Sequence, residues 1–333
     1  MKGLVYTGVE TLEYTDCPMP KPGAGQQLIK IMSSGICGSD MHAFLGHDPR
    51  RPAPFVFGHE AAGIVTGGSQ DGRRVTVNPL VGCGTCDACT QGRDNLCPDR
   101  TIISMPPAPG AFAEYVVMRD ENLVTVPDNV SFDQACLAEP LACGWHAVRL
   151  ADAVCAQPIG DARCLVLGGG AIGVGAALAL RAFGARDVTL VEPNPTRRDY
   201  LHNIDGFTAV DAGGFDGMAD IIIDGVGFAS TRADATAMAK PGGVIAHIGL
   251  GSGEGGLDVR RMTLQEITFI GTYTYTPQDF RDTAAAIFDG RFGSLDWVAK
   301  RPLADGQQAF VDIRAGVVPA PKIILTPNHK REI

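Results

Sequence analysis

The stretch CGTCDACTQGRDNLCP sets Cys83, Cys86, Cys89 and Cys97 within fifteen residues. CxxC spacing lets one backbone turn aim two sulfurs at a common centre, so four thiolates on a tetrahedral zinc are one reading. An iron–sulfur cluster is a second, because CxxCxxC and a proline after the last cysteine also mark bacterial ferredoxins. Unligated loop thiols are a third. Three features favour zinc. The fourth cysteine follows after seven residues rather than three, no second array supplies a partner cluster, and Gly84, Gly92 and Asp94 suit a turning lobe. A centre closed by four thiolates leaves no position for a substrate, so this lobe should shape the chain and the reaction must run elsewhere.

Candidates for the reaction flank the lobe. GICGSDMH (35–42), FGHEAAGIV (57–65) and LAEPLACGWHAV (137–148) supply Cys37, His59, Glu60 and Glu139. This mixed sulfur, nitrogen and oxygen set could hold zinc and still admit an exchangeable oxygen, as a catalytic zinc requires. Singly, each has a bland reading: a cysteine beside glycine as a core thiol, or a His–Glu pair as hydrogen-bonded surface.

Those residues need a scaffold, and RCLVLGGGAIGVGAALALRAFGARDVTLVEPNPTRR describes part of one. An apolar strand over 164–167 turns at Gly168 into a small-residue helix from about Ala171, and a second strand over 188–191 ends in Glu192. Gly168, Gly170 and Gly173 form GxGxxG in the order strand, turn, helix, strand, acid that a dinucleotide site demands. Glycines admit a pyrophosphate to the backbone, the first helical N–H groups of Ala171 and Ile172 face its charge, and Glu192 can accept from the ribose hydroxyls. Later apolar runs over 219–227, 242–251 and 267–273 extend the same sheet. Between 201 and 219 no helix-forming stretch remains, so that crossover is predicted to be a loop.

The chain has 333 residues, 45% hydrophobic and 20% charged, enough for two domains with proper cores. A formal net charge of −9 gives no long-range attraction to nucleic acid or anionic lipid, which leaves a small molecule as the expected partner. The N-terminus lacks a basic segment followed by an apolar core, and no apolar run approaches the ~20 residues that span a bilayer. The expected location is the cytoplasm, where ten cysteines are thiols or metal ligands rather than disulfides. No repeat, low-complexity tract or long linker appears, and the polar terminal PNHKREI is expected to fray.

Taken together and in order, GICGSDMH, GHE, the four-cysteine lobe, EPLACGWHAV, GGGAIG and ITFIGTYTY resemble the medium-chain, zinc-dependent alcohol dehydrogenases, in the branch with sorbitol, galactitol and threonine dehydrogenases. The resemblance covers essentially the whole chain. It implies an α/β architecture: a GroES-like β-barrel catalytic domain, residues 1–145 and 273–333, interrupted by a doubly wound Rossmann domain, residues 146–272. It implies two zinc ions per chain, a structural one on the four cysteines and a catalytic one on Cys37, His59 and Glu139. Glu60 would be the neighbouring glutamate that exchanges with water. Cys143 misses the ligand offset that Glu139 meets, and Asp40 would orient the zinc histidine from behind.

The resemblance further implies that Ser39 touches the reacting alcohol and that His42 relays its proton through the cofactor ribose to solvent. A turn hydroxyl and a surface imidazole are the alternatives for the same pair. NAD is the expected cofactor, since Glu192 would face the extra phosphate of NADP. Arg197 stands where the family binds the adenosine ribose, and Arg198 is expected on a solvated helix face. The expected reaction is hydride transfer between NAD and a secondary alcohol or vicinal diol, ahead of a long sugar alcohol such as sorbitol. That order rests on an apolar stretch around Phe44 and Phe57, so Phe44, Phe57, Trp145 and Thr274 are expected to line the pocket. ITFIGTY resembles the family's edge strand that pairs across a two-fold axis, which implies a homodimer or homotetramer. A zinc-free reductase and a non-catalytic cofactor-binding regulator are the competing classes.

Overall fold

The computed structural model describes residues 1–328; the expectation for the polar tail falls mostly on residues 329–333, outside the described residues. Alternating apolar residues of the first third, joined by two strands from the end of the chain, form a mainly antiparallel sheet in which only the final pair, Lys322–Thr326 with Val298–Pro302, is parallel among the described residues. Its strands run Leu123–Thr125, Arg74–Val77, Glu60–Val65, Gln26–Gly35, Lys322–Thr326 and Val298–Pro302, and Tyr115–Arg119 also pairs with Gln26–Gly35. The last segment of the chain therefore lies beside the first: Ile324 pairs with Gly35 and Leu325 with Ser34. A smaller sheet of Thr11–Asp16, Lys2–Gly8 and Phe55–Val56 packs nearby.

Residues 163–271 build a six-stranded parallel sheet in the order Thr208–Val210, Asp187–Val191, Arg163–Leu167, Ala219–Asp224, Ala239–His247, Thr268–Gly271. Numbered along the chain this is 3-2-1-4-5-6, the doubly wound order whose crevice lies at the C-terminal ends of the strands. The central strands are near-continuous apolar runs because helices cover both faces. The third crossover carries no helix among the described residues; a loop over 211–218 joins its strands, as the lack of helix formers predicts. Among the described residues Thr268–Gly271 is an edge strand, hydrogen-bonded to Ala239–His247 alone.

A single fifteen-residue helix, Ala138–Asp152, links the two regions, so the boundary expected at 145/146 falls inside a continuous element. It packs on the fingerprint helix Ala171–Ala182, and Gly144 permits that approach: a Cβ there would stand 2.6 Å from the Ala176 nitrogen.

Candidate active site

Cys37 opens the short helix Gly38–Phe44, which follows directly on the long strand Gln26–Gly35, while His59 and Glu60 lie where the strand Glu60–Val65 begins. Gly35 and Glu60 are cross-strand partners, and this register brings the two segments together. One donor atom each from Cys37, His59 and Glu60 lies within 4.8 Å of the others. Glu139, from the first turn of the linking helix, is buried with them, and its Oε1 accepts from the Tyr275 hydroxyl at 2.8 Å. Burial, the largest cause, pushes the Glu139 carboxyl up to about 7. Glu60 Oε1 accepts from Lys322 Nζ at 2.6 Å, while its buried Oε2 has no partner. Burial alone would discharge Lys322, but the facing Glu60 carboxylate outweighs it and raises its pKa. Cys37, His59 and Glu60 converge with one orphaned carboxylate oxygen, a thiol, imidazole and carboxylate set that fits a divalent cation, while Glu139 stands outside that converging trio.

Behind them sits Asp40, fully buried. Its Oδ2 accepts from the Cys37 N–H at 3.2 Å and its Oδ1 faces His59 Nδ1 at 3.5 Å, the arrangement that fixes a ligand histidine's tautomer. Ser39 and His42 stand three positions apart on the same helix, neighbours on its surface, and both are exposed. Cys143 lies one turn beyond Glu139, outside the converging group.

The four cysteines of the lobe also converge, with Cys83 Sγ and Cys89 Sγ 4.0 Å apart, and none of the ten cysteines is oxidised. Sulfurs on one zinc at about 2.3 Å each stand about 3.8 Å apart, so the spacing fits. N–H groups of Thr85 and Cys86 point at Cys83 Sγ and lower its pKa to about 6. Burial and the facing sulfurs push the Cys89 thiol up to about 12. Asn95 Nδ2 donates to the Tyr273 carbonyl at 2.8 Å, so the lobe is fastened to the end of the edge strand. A cleft of about 790 Å³ opens there between the lobe, the linking helix and the sheet; Arg93, His146, His247 and Asp279 line it, and none of the converging ligands does.

In the fingerprint, Gly168 has φ +98 and a Cβ on Gly173 would meet the Gly168 carbonyl at 1.8 Å, so neither position accepts a side chain. No side chain caps the helix that starts at Ala171, which leaves the N–H groups after Gly170 for an anion. Glu192 is held rigidly: Gly169 N donates to Oε2 at 2.9 Å and Asn194 N to Oε1 at 2.8 Å. Arg197 is half-buried with Nε unpaired. Arg198 departs from the solvated position expected of it, because its Nη1 donates to the Glu192 and Pro193 carbonyls at 2.9 and 3.2 Å.

Three expected pocket residues are core instead. Phe44 is 1% exposed against Phe310, Phe57 is fully buried on Tyr6, and Trp145 packs between Phe183 and Phe292. Each ring is buried among other side chains, with a guanidinium over Phe57 and another over Trp145, and is taken up by packing within the protein. Thr274 has φ +46 and a buried, unpaired Oγ1. A β-branched residue is strained there, and the turn it makes precedes Tyr275, whose hydroxyl reaches Glu139. Tyr275, Lys322 and Arg51 went unseen in the sequence, because each acts through a partner distant along the chain or outside any motif.

A doubly wound sheet with a glycine fingerprint, joined to a region holding one mixed and one all-cysteine donor set, defines a zinc- and nicotinamide-dependent oxidoreductase. Residues 23–128 match the alcohol dehydrogenase GroES-like domain and residues 171–289 the zinc-binding dehydrogenase domain. The chain belongs to the zinc-dependent medium-chain alcohol and polyol dehydrogenase family. It is 30% identical to sorbitol dehydrogenase of Bacillus subtilis over 99% of this chain and 98% of that protein. With L-galactonate-5-dehydrogenase of Escherichia coli it shares 31% identity over 87% and 88% of the two chains. The crystal structure of 2R,3R-butanediol dehydrogenase from Bacillus subtilis superposes with a TM-score of 0.86 at 25% identity, covering 98% of this chain and 99% of that one. No helix among the described residues is long and apolar enough to cross a membrane.

Proposed function

We propose that the protein oxidises a secondary hydroxyl of a vicinal diol or polyol to the ketone with NAD, and runs the reverse reduction. The convergence of Cys37, His59 and Glu60 beside Tyr275-bound Glu139 carries this reading. Cys37, His59 and Glu139 would hold a zinc ion and Glu60, tethered by Lys322, would stand next to it. Zinc supplies Lewis-acid polarisation of a carbinol or carbonyl oxygen, and the nicotinamide takes or gives the hydride. Ser39 Oγ would accept the hydroxyl proton while giving up its own toward the cofactor ribose, and the His42 ring, exposed one turn on, would pass a proton from there to solvent. Glu192, with both oxygens fixed by backbone N–H groups, presents a rigid negative charge at the end of its strand and favours NAD over NADP.

Sorbitol, galactonate and butanediol share adjacent hydroxyls, which supports a diol-bearing substrate. The ranking of an apolar alcohol over a sugar alcohol loses its supporting residues now that Phe44, Phe57 and Trp145 are core. Catalytic efficiency with NAD on 1,2-hexanediol, sorbitol and 2-propanol, read as nicotinamide absorbance, is the test. Both diol-bearing compounds should exceed 2-propanol; activity on none of the three ends the reading. The edge strand Thr268–Gly271, with one side open among the described residues and exposed Val259 and Leu264 on the preceding helix, supports a two-fold dimer. Sedimentation that finds only monomer at micromolar concentration would count against it. Cytoplasmic location is the expectation that accompanies the ten reduced cysteines.

A further inference from the structure

We propose that Arg51 is a positioning residue for the reaction centre, acting through Asp40 on His59 and through the Ser39 carbonyl on the helix that carries Ser39 and His42. The proposal rests on the assignment of Cys37 and His59 as zinc ligands. Arg51 is 4% exposed, and its donors are spread over separate parts of the site. Nη1 donates to Asp40 Oδ1 at 3.1 Å, with Ser104 Oγ at 3.5 Å, and Nη2 donates to the Ser39 carbonyl. Nε donates to Asp48 Oδ2 at 3.0 Å, and the guanidinium carbon lies 5.3 Å from the Phe57 ring centroid. Asp48 is itself gripped by Arg50, at 2.8 and 2.9 Å, so the far side of the fork is anchored too.

The consequence follows from what Asp40 touches. Its two oxygens address the Cys37 N–H and the His59 ring, so the direction of this one carboxylate sets both ligands. A fully buried carboxylate needs a cation to stay charged and in place. Arg51 supplies that cation and in the same plane holds the backbone two residues after Cys37. A planar fork of fixed N–H directions can meet three separated acceptors at once; the lysine ammonium, a point charge on a flexible stem, cannot.

The experiment uses the full chain loaded with zinc as wild type, Arg51→Lys and Asp48→Asn, the last loosening Arg51 without removing it. Zinc release to a chromogenic chelator is followed beside the thermal midpoint, and the four-cysteine zinc serves as internal control. In Arg51→Lys one of the two equivalents should leave about tenfold faster or more, the other unchanged. Asp48→Asn should do the same to a smaller degree, and the visible spectrum of the cobalt-substituted protein should shift in both. Release of both equivalents together with a lowered midpoint would make Arg51 a general structural residue and overturn the proposal, as would unchanged release in both variants. Should Arg51→Lys fail to fold, Asp48→Asn decides alone by the same criterion. A wild-type chain that holds a single zinc removes the ligand assignment and the proposal with it. Turnover plays no part in the readout, so an inactive wild type with intact two-zinc behaviour would sink the proposed reaction and leave this result standing.

Discussion

The two donor sets are built on opposite plans. The lobe draws all four sulfurs from fifteen consecutive residues, leaves three of them half-buried, and stabilises them with its own backbone N–H groups. The proposed reaction centre draws its donors from residues 37 to 139, and its supporting polar groups, Arg51, Tyr275 and Lys322, from positions as far as 322. A closed site needs only local geometry to trap its ion. An open one must hold ligands at fixed angles while leaving a position free, and that takes charged and hydroxyl partners behind each ligand. The difference predicts that damage to the lobe is felt as stability and damage to the centre as turnover.

Cys37→Ala sets the upper end of that contrast. Turnover should fall at least about 10³-fold, the loss of metal assistance, with one zinc per chain retained and a thermal midpoint close to wild type. Steady-state rates and elemental analysis on one sample check it. Next comes Cys86→Ser, which should cost about 3 kcal/mol or more in urea unfolding, while the folded fraction keeps its rate per active centre. The reverse pattern, full stability with lost turnover, would exchange the roles of the two clusters.

Glu192→Ala should move the ratio of NAD to NADP efficiency toward NADP by about tenfold and leave both zinc equivalents bound. An unchanged ratio would mean that another group reads the ribose.

The smallest expected effect concerns the helix carrying Glu139. Asp279 accepts from His146, Arg149 and Thr276 at the far end of that helix; burial pushes its carboxyl up, but those partners outweigh it and hold it well below the ordinary range. A group depressed on folding contributes stability above its unfolded pKa, near 4, and loses it as pH falls further. Asp279→Asn should therefore be about 1 kcal/mol less stable than wild type at pH 7, the gap narrowing below about pH 4. A gap independent of pH would show that the carboxylate charge is not what ties the helix.

How much of this was legible depended on range along the chain. The strand, glycine turn, helix and strand that end at Glu192, the clustering of the four closely spaced cysteines and the helix-free crossover over 211–218 are local patterns, and the sequence carries each of them within a short span. Arg51 sits in a plain DPRRP stretch, and the role proposed for it depends on its contacts with Asp40, Asp48 and the Ser39 carbonyl, which the stretch does not announce. Lys322 lies 262 residues from Glu60 and Tyr275 lies 136 from Glu139, and no periodicity reports such pairings. Phe44, Phe57 and Trp145 misled for a different reason. An aromatic residue beside a ligand motif has the same composition whether it faces a substrate or fills the core, and only three-dimensional packing separates the two.

The pairing of the last strand with Gln26–Gly35 has a consequence for how the protein matures. The lobe's cysteines leave the ribosome together and can take up metal as soon as Cys97 has emerged. The buried amine that offsets Glu60 is synthesised 262 residues after it, at about 5–20 residues per second roughly 15–50 s later. Until then the antiparallel sheet lacks its closing strand and a buried carboxylate lacks its counter-charge. A nascent chain thus completes the four-cysteine cluster well before the Glu60–Lys322 pair, and the proposed reaction centre is assembled only once the last strand has been made.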